Sequence, residues 1–304
     1  MNVAIAGGSG FVGSALTTRL LDDGHHVTVL TRRPDRYAGP GSAARADVDE
    51  PETLLPALEG HDVAYYLVHS LASADFAERD RRAAHAFADA VRRAGLTHVV
   101  YLGGLGDDGA DLSEHLRSRR EVEQILMGSA PTTALRAGIV IGRGSISWEI
   151  LRQLVTRLPV MVTPRWVETR TQPIALADAL VALAGVLGRR ETIGQTYEIG
   201  GPEALTYRRM MLTVGRILHR HRLIVPVPVL SPRLSSHWLR LVTDVDLTTA
   251  RALVDSMTNE VVVRDPRLND LLAHQPMTFE DAVYAALDMR PLSPAVRTRS
   301  RADR

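Results

Sequence analysis

The sequence predicts an α/β fold built on a doubly wound parallel sheet, followed by a smaller C-terminal portion. Three observations predict it. An apolar run at the N-terminus ends in a glycine-rich turn, strand-like runs then alternate with amphipathic helical segments, and this alternation fades after about Leu205. We therefore expect a Rossmann-type domain in residues 1–204, a lid or substrate-binding portion in 205–290, and a disordered tail in 291–304.

The expected elements follow one another in a regular order. Short apolar runs bounded by turn residues indicate strands, and apolar residues three and four apart indicate helices. The expected strands are NVAIAG, HHVTVLTR, a short ARADV segment, DVAYYLV, THVVYLGG and TTALRAGIVIG. The expected helices between them are GSALTTRLLDDG, PETLLPALEG, ADFAERDRRAAHAFADAVRRAG and SEHLRSRREVEQILMG. Further on, LTYRRMMLTVGRILHRH has a helical pattern, LIVPVPVL is extended and broken by proline, and PRLSSHWLRLVTDV is periodically apolar.

The composition excludes several kinds of chemistry. The 304 residues carry a net charge of +1, which predicts no broad attraction to nucleic acid or to an anionic membrane. The chain has no cysteine, and all 36 basic residues are arginine, so thiolate sites, Schiff bases and phosphate-binding lysines are impossible. We expect no metal site. The sequence contains no apolar run of 18 residues, so we expect no membrane-spanning helix. Because the N-terminus does not resemble a signal peptide, we expect a cytoplasmic protein.

A glycine-rich turn separates the first expected strand from the first expected helix. Gly7, Gly10 and Gly13 are spaced GxxGxxG. Glycines in such a turn let the backbone approach a pyrophosphate, and the helix N-terminus supplies unpaired N–H donors. We therefore expect this turn, including Ser9, Phe11 and Val12, to bind a dinucleotide.

The residues after the next strands bear on which dinucleotide is bound. The second strand ends in TRRPDR, with Arg32 and Arg33 where NAD-selective proteins usually carry an acid, so NADP(H) is favoured. The alternative is that both arginines are solvated loop charges. Asp47 is either a partner of the adenine or a solvated turn residue. Val68 and His69 end the fourth strand, where the sheet edge binds ligands, although a purely structural histidine is an alternative.

Several stretches together resemble a known superfamily. AIAGGSGFVG, RDRRAAHAFADAVRRAGLTHVVYLGGLG, RTQPIALADAL and YEIGGPEALTY are similar to the extended or atypical short-chain dehydrogenases/reductases, over about residues 1–290. YLGGLG and TQPIALAD resemble a bacterial group of NAD(P)H-binding proteins. That group is itself similar to NmrA-like proteins and to the accessory NADPH-binding subunit of respiratory complex I.

The resemblance implies a catalytic set that this chain lacks. Members that transfer hydride use a serine near the end of the fifth strand and Tyr-x-x-x-Lys on the next helix. Here Gly103 and Gly104 occupy the serine position, His115 stands in place of the tyrosine, and Arg119 in place of the lysine. The usual mechanism therefore does not carry over.

Two interpretations of HLRSR, residues 115–119, remain open. Arg119 can hold the nicotinamide ribose, with Gly103 beside it, and His115 can donate a proton, since an ordinary imidazole titrates near pH ~6.5. Alternatively, the segment is a polar surface helix with Glu–Arg pairs.

The expected function is an NADP(H)-dependent oxidoreductase that reduces a small apolar carbonyl or enone-like molecule. A non-catalytic NADP(H)-binding sensor or assembly protein is an alternative, as is an isomerase or lyase that retains NADP as scaffold. Trp166 and Trp238 are candidates for an apolar substrate site, or else for core packing.

Overall fold

A computed structural model describes residues 1–71, 73, 75–107, 109, 111–226 and 247–289. Its strands, in chain order, are β1 (Asn2–Ala6), β2 (His26–Thr31), β3 (Ser42–Arg45), β4 (Val63–Tyr66), β5 (His98–Gly104), β6 (Thr132–Ala137), β7 (Val140–Ile141), β8 (Val160–Thr163), β9 (Arg170–Thr171), β10 (Ile174–Ala175), β11 (Thr196–Ile199), β12 (Leu205–Thr206) and β13 (Leu223–Pro226). Its helices are α1 (Phe11–Asp22), α2 (Leu54–Leu58), α3 (Phe76–Ala94), α4 (Glu114–Ser129), α5 (Ile146–Arg157), α6 (Leu176–Gly185), α7 (Tyr207–Ile217), α8 (Leu247–Ser256), α9 (Arg267–Leu272) and α10 (Phe279–Leu287). Short 3₁₀ turns cover Pro34–Arg36, Pro51–Thr53, Arg165–Glu168 and Arg190–Thr192.

Seven strands form one parallel sheet in the order β3-β2-β1-β4-β5-β6-β11. This arrangement confirms the predicted α/β, Rossmann-type fold class. The chain proceeds outward from β1 to β3 and then returns to the other side of β1 with β4. Strand order therefore reverses between β1 and β4, and in open parallel sheets ligands bind at the carboxyl ends of the strands beside such a reversal.

Both faces of the sheet are covered because successive side chains of a strand point to opposite sides. Val3 and Ile5 pack with residues of α1 and α6, whereas Ala4 packs with residues of α2, α3 and α4. All three are fully buried. The long helical segments of the sequence thus supply the two outer layers of a doubly wound domain.

A further apolar cluster lies in the C-terminal part of the described chain. It joins residues of α5, α7 and α10, and its members also come from before residue 204, as Trp148 and Trp166 do. The predicted division at 204 stays a prediction about domain organisation. The predicted tail, residues 291–304, and the whole PRLSSHWLRLVTDV stretch with Trp238 lie outside the described residues.

A buried histidine links the amino ends of β5 and β6 to the segment between α6 and β11. His98, only 1% exposed, lies 2.8 Å from the Thr133 hydroxyl through Nε2 and accepts a hydrogen bond from the Gly188 N–H through Nδ1. The Thr133 hydroxyl in turn donates to the Thr192 carbonyl oxygen at 2.8 Å. These contacts require a neutral imidazole protonated at Nε2. Burial accordingly lowers the pKa of His98 to about 4.

We expect the free energy of unfolding to fall as the pH is lowered from about 6.5 to about 4. In this range His98 binds a proton in the unfolded chain but stays neutral in the folded protein, where its pKa is about 4. His98→Gln should reduce the slope of unfolding free energy against pH by up to about 1.4 kcal/mol per pH unit in this window. Urea unfolding at several pH values measures it. His26→Gln, at an exposed position, is the control. An unchanged slope in His98→Gln would contradict the prediction.

Candidate active site

The glycine turn lies at the carboxyl end of β1, beside the reversal of strand order. Gly7 has φ +84°, and a Cβ there would lie 2.7 Å from the Leu67 carbonyl oxygen. A Cβ at Gly13 would lie 2.2 Å from the Gly7 carbonyl oxygen. Both positions therefore require glycine for close packing of backbone on backbone. Gly10 is less confined, since its Cβ would meet only the Gly7 oxygen, at 3.2 Å.

The N-terminus of α1 begins at this turn. Gly10 is the N-cap residue, no side chain caps the helix, and its first turn contains no acidic residue. The backbone N–H groups of that turn are therefore available to a ligand, and the helix dipole favours an anion there. A pyrophosphate fits these requirements.

An outer cavity of about 970 Å³ opens beside the turn. Its wall contains eight of the predicted cofactor-binding residues: Gly7, Ser9, Gly10, Arg32, Arg33, Asp47, Val68 and His69. One oxygen of the Asp47 carboxylate accepts a hydrogen bond from the Asp49 N–H at 3.0 Å, so the side chain also closes its own turn. Asp47 thus belongs both to the cavity wall and to a local turn, and the two sequence interpretations are compatible.

Arginines surround one end of the outer cavity. Arg32 and Arg33 are exposed and also line an adjoining recess of about 430 Å³, together with Arg36 and Arg45. Arg45 forms an ion pair with Glu50 at 2.7 Å. Several guanidinium groups around one recess suit a phosphate group, which each can contact through two N–H donors.

An inner cavity of about 540 Å³ continues from the outer one. The two share Gly7, Gly10, Leu67, His69, Leu71 and Ile146. The remaining predicted residues, Phe11, Val12, Gly13, Gly103, His115 and Arg119, line the inner cavity. Most of its other lining is apolar, with Leu102, Leu116, Ile139, Tyr207, Leu253 and Met257. The predicted site residues therefore come together along one continuous cleft.

Arg119 is held in the interior by an ion pair. Its side chain is 7% exposed, and Nη2 contacts the Asp80 carboxylate, which is 2% exposed. Nη1 donates to the Val68 carbonyl oxygen at 3.3 Å. Asp80 also accepts hydrogen bonds from the Ser70 N–H, at 2.9 Å, and from the Ser118 hydroxyl, at 3.3 Å. The interpretation of HLRSR as a polar surface helix is therefore wrong for Arg119.

Arg119 retains N–H donors beyond the two that pair with Asp80 and Val68. Its Nε is buried and has no hydrogen-bond partner among the described residues. Arg119 also lines the inner cavity, and its N–H groups beyond those paired with Asp80 and Val68 suit an acceptor such as a ribose hydroxyl.

His115 is enclosed rather than solvated. Its ring lies 6.4 Å from that of Phe76, and its buried Nδ1 has no partner within the described part of the chain. Burial, with Arg119 and His69 nearby, lowers the pKa of His115 to about 3. The expectation of a titration near pH ~6.5 is therefore wrong, and the imidazole is neutral at physiological pH. The pKa of His69 is lowered as well, first by burial and then by Arg119.

The structure also identifies residues that sequence reasoning missed or left open. Asp80 lies in the charged segment AERDRR, and nothing in that sequence distinguishes its buried carboxylate from the neighbouring surface charges. Tyr207 lines the inner cavity. Trp166 packs edge-on against Tyr207, with ring centroids 5.7 Å apart, in the C-terminal cluster, which supports the core-packing alternative.

The described residues also bear on metals and membranes. They contain no group of three or more His, Asp or Glu side chains placed to hold a metal ion. Within the same part of the chain, no helix combines the length and apolar character needed to cross a bilayer.

Sequence comparison finds a matching family model and several relatives. Residues 7–153 match the model of a family described as NAD(P)H-binding. A (4-alkanoyl-5-oxo-2,5-dihydrofuran-3-yl)methyl phosphate reductase from Streptomyces griseus is 29% identical over 231 residues, covering 72% of this chain and 74% of that protein. An uncharacterised Mycobacterium bovis protein is 26% identical over 218 residues. The match covers 71% of this chain but only 23% of that longer protein.

Solved structures share the fold at low sequence identity. A nucleoside-diphosphate-sugar epimerase from Staphylococcus aureus superposes with a TM-score of 0.77 at 15% identity, covering 93% of this chain and 99% of that one. An NADPH-dependent quinone oxidoreductase from Escherichia coli, in complex with NADPH, gives 0.73 at 20% identity, covering 92% and 98%.

The family match covers the glycine turn, α1 and most of the residues that line both cavities. It agrees with the parallel sheet and with the resemblance to short-chain dehydrogenases/reductases, which these findings confirm. Residues 7–153 are therefore similar to an NAD(P)H-binding family.

Proposed function

We propose that the protein is an NADP(H)-dependent oxidoreductase that reduces a small apolar carbonyl or enone-like molecule. One observation carries the proposal: a mostly apolar cavity of about 540 Å³ continues directly from the dinucleotide cleft and has His115 and Arg119 in its wall. NADPH, when bound, supplies hydride, so the protein must position the two reactants and exclude water. A largely apolar wall suits both tasks.

The named activity of a relative supports this substrate class. The Streptomyces griseus protein is a reductase of a dihydrofuran that carries oxo and alkanoyl groups and a phosphate. In this chain the inner cavity's arginine, Arg119, is already paired with Asp80. A substrate phosphate would lack a matching charge there. We therefore propose an uncharged carbonyl compound.

The chain's own residues have distinct roles in this proposal. Arg119, fixed by Asp80, holds the nicotinamide ribose through its remaining donors. Neutral His115 has one N–H, which donates a hydrogen bond to the substrate oxygen as negative charge develops on it. The proton that completes the reduction comes from His115 or from water.

A non-catalytic NADP(H)-binding role is the second candidate, and one observation favours it. A Cβ at Gly103 would lie 2.7 Å from the ring of Tyr101, so a catalytic serine does not fit there without rearrangement. Oxidation of NADPH by any carbonyl or enone substrate distinguishes the two candidates.

We expect NADPH to bind at least ~10-fold more tightly than NADH, because charge-assisted contacts to the 2′-phosphate contribute about 1.5–3 kcal/mol. Arg32→Ala combined with Arg33→Ala should remove most of the preference. Arg190→Ala, an exposed arginine outside both cavities, should not. Calorimetric titration of both cofactors measures this. Equal affinities in the native protein would refute the preference for NADPH.

Gly10→Val should abolish dinucleotide binding while the fold persists, because the added side chain meets little protein but fills the pyrophosphate position. Gly128→Val, where a Cβ has no neighbour within 4 Å, is the matched control. Calorimetry measures binding and circular dichroism the fold. Native affinity in Gly10→Val would remove the glycine turn from the site.

His115→Phe should retain NADPH affinity and lower kcat by about 100-fold or more, since a positioned donor is lost. Because the pKa of His115 is about 3, the native protein should show no inflection from this residue between about pH 5 and pH 8. A panel of enones and quinones, followed by NADPH absorbance, supplies the assay. Native turnover in the variant would place proton delivery elsewhere.

Arg119→Ala should weaken NADPH binding and also lower the free energy of unfolding by about 3–5 kcal/mol, because Asp80 is left as a buried, unpaired charge. Adding Asp80→Asn should restore much of the stability without restoring affinity. Chemical denaturation and calorimetry separate the two effects. A single variant as stable as the parent would contradict the buried ion pair.

A further inference from the structure

A two-stranded parallel sheet, formed by β8 and β13, lies apart from the central sheet. On one side of this small sheet, Met161 and Ile224 pack in the C-terminal apolar cluster. The other side carries four exposed apolar residues, named here the β8–β13 face: Val160, Val162, Leu223 and Val225, which are 52%, 51%, 59% and 40% exposed. The strand register places Val160 beside Leu223 and Val162 beside Val225, so the four form one contiguous patch.

This concentration is unusual within the described chain. Eight large apolar side chains there are substantially exposed, and four of them belong to this one face. Scattered exposed apolar residues need no explanation, but a contiguous patch indicates an interaction surface.

The charged residues within the two segments that carry these strands are all basic. Residues 157–165 and 219–226, which carry the two strands, contain no Asp or Glu. They contain four arginines: Arg157, Arg165, Arg220 and Arg222. Arg157, Arg165 and Arg220 are exposed. The net charge of +1 for the whole chain therefore conceals a local basic region around an apolar centre.

We propose that the β8–β13 face docks on an anionic phospholipid surface. The apolar side chains would enter the boundary between headgroups and acyl chains, and the exposed Arg165 and Arg220 would contact lipid phosphates. Packing of this face on that of a second copy would bring the two sets of arginines together, which is unfavourable. A lipid surface supplies both the apolar medium and the negative charge.

Vesicle co-sedimentation tests the proposal with the full chain. Binding to vesicles of equal parts phosphatidylglycerol and phosphatidylcholine should exceed binding to pure phosphatidylcholine by at least ~10-fold and should weaken as salt is raised. Val160→Ser with Leu223→Ser should weaken it, as should Arg165→Gln with Arg220→Gln, by roughly fivefold for each arginine removed. Leu271→Ser, an apolar residue 37% exposed elsewhere, and Arg190→Gln are the matched controls.

Three results would overturn the proposal. One is a vesicle assay without the expected differences, whether between the two kinds of vesicle or between the face variants and the native protein. Another is a marked fall in the unfolding temperature of the serine variant without lipid, since this would show that the face packs within the chain. The third is a change of oligomeric state in that variant by light scattering, which would identify a second copy as the occupant. NADPH affinity should be native in every variant, so failure here is distinct from failure of the proposed reductase function.

Discussion

The contact of α1 with the end of β1 is the constraint on which the site depends. Gly13 lies so close to the Gly7 carbonyl that no side chain fits between them, and Gly7 approaches the Leu67 backbone in the same way. This packing fixes the helix N-terminus at the reversal of strand order. The uncapped N–H groups and both cavities are therefore arranged around backbone geometry rather than around any one reactive side chain.

The ion pair between Asp80 and Arg119 extends this constraint to the inner cavity. Asp80 on α3 binds both the backbone of Ser70, after β4, and the guanidinium of Arg119 on α4. The Tyr101 hydroxyl on β5 adds a hydrogen bond to the Arg119 carbonyl oxygen, at 2.9 Å. A side chain that is surrounded in this way loses little entropy when a ligand binds to its remaining donors.

The sequence predicts the fold and the position of the dinucleotide cleft because both depend on local patterns. Apolar runs and glycine spacing mark β1, β2, β4 and β5 to within one or two residues. The pattern gives no sign of β11, because TYEI is only four residues long and alternates half-buried with buried residues. It also misses α6, whose LADALVALAG is apolar on nearly every side and so lacks an amphipathic period.

The inner cavity is less predictable because its walls meet across long sequence separations. Asp80 and Arg119 are 39 residues apart, and each stands among other charged residues. Nothing in the local pattern distinguishes the buried pair from the surface pairs of the same helices. The low pKa of His115 likewise comes from enclosure, which depends on the packing of several elements.

The edge strand β11 affects which truncated forms of the chain can keep the sheet intact. β6 pairs with β5 on one side and with β11 on the other, and α6 covers α1 through residues such as Leu183. A polypeptide ending at residue 153 would retain the glycine turn but lose both β11 and α6. Its β6 would become an open sheet edge, with buried Thr133 and Leu135 newly accessible to other chains. A chain that keeps all seven strands of the sheet must therefore include the residues through Ile199, well beyond the segment that contains the glycine turn.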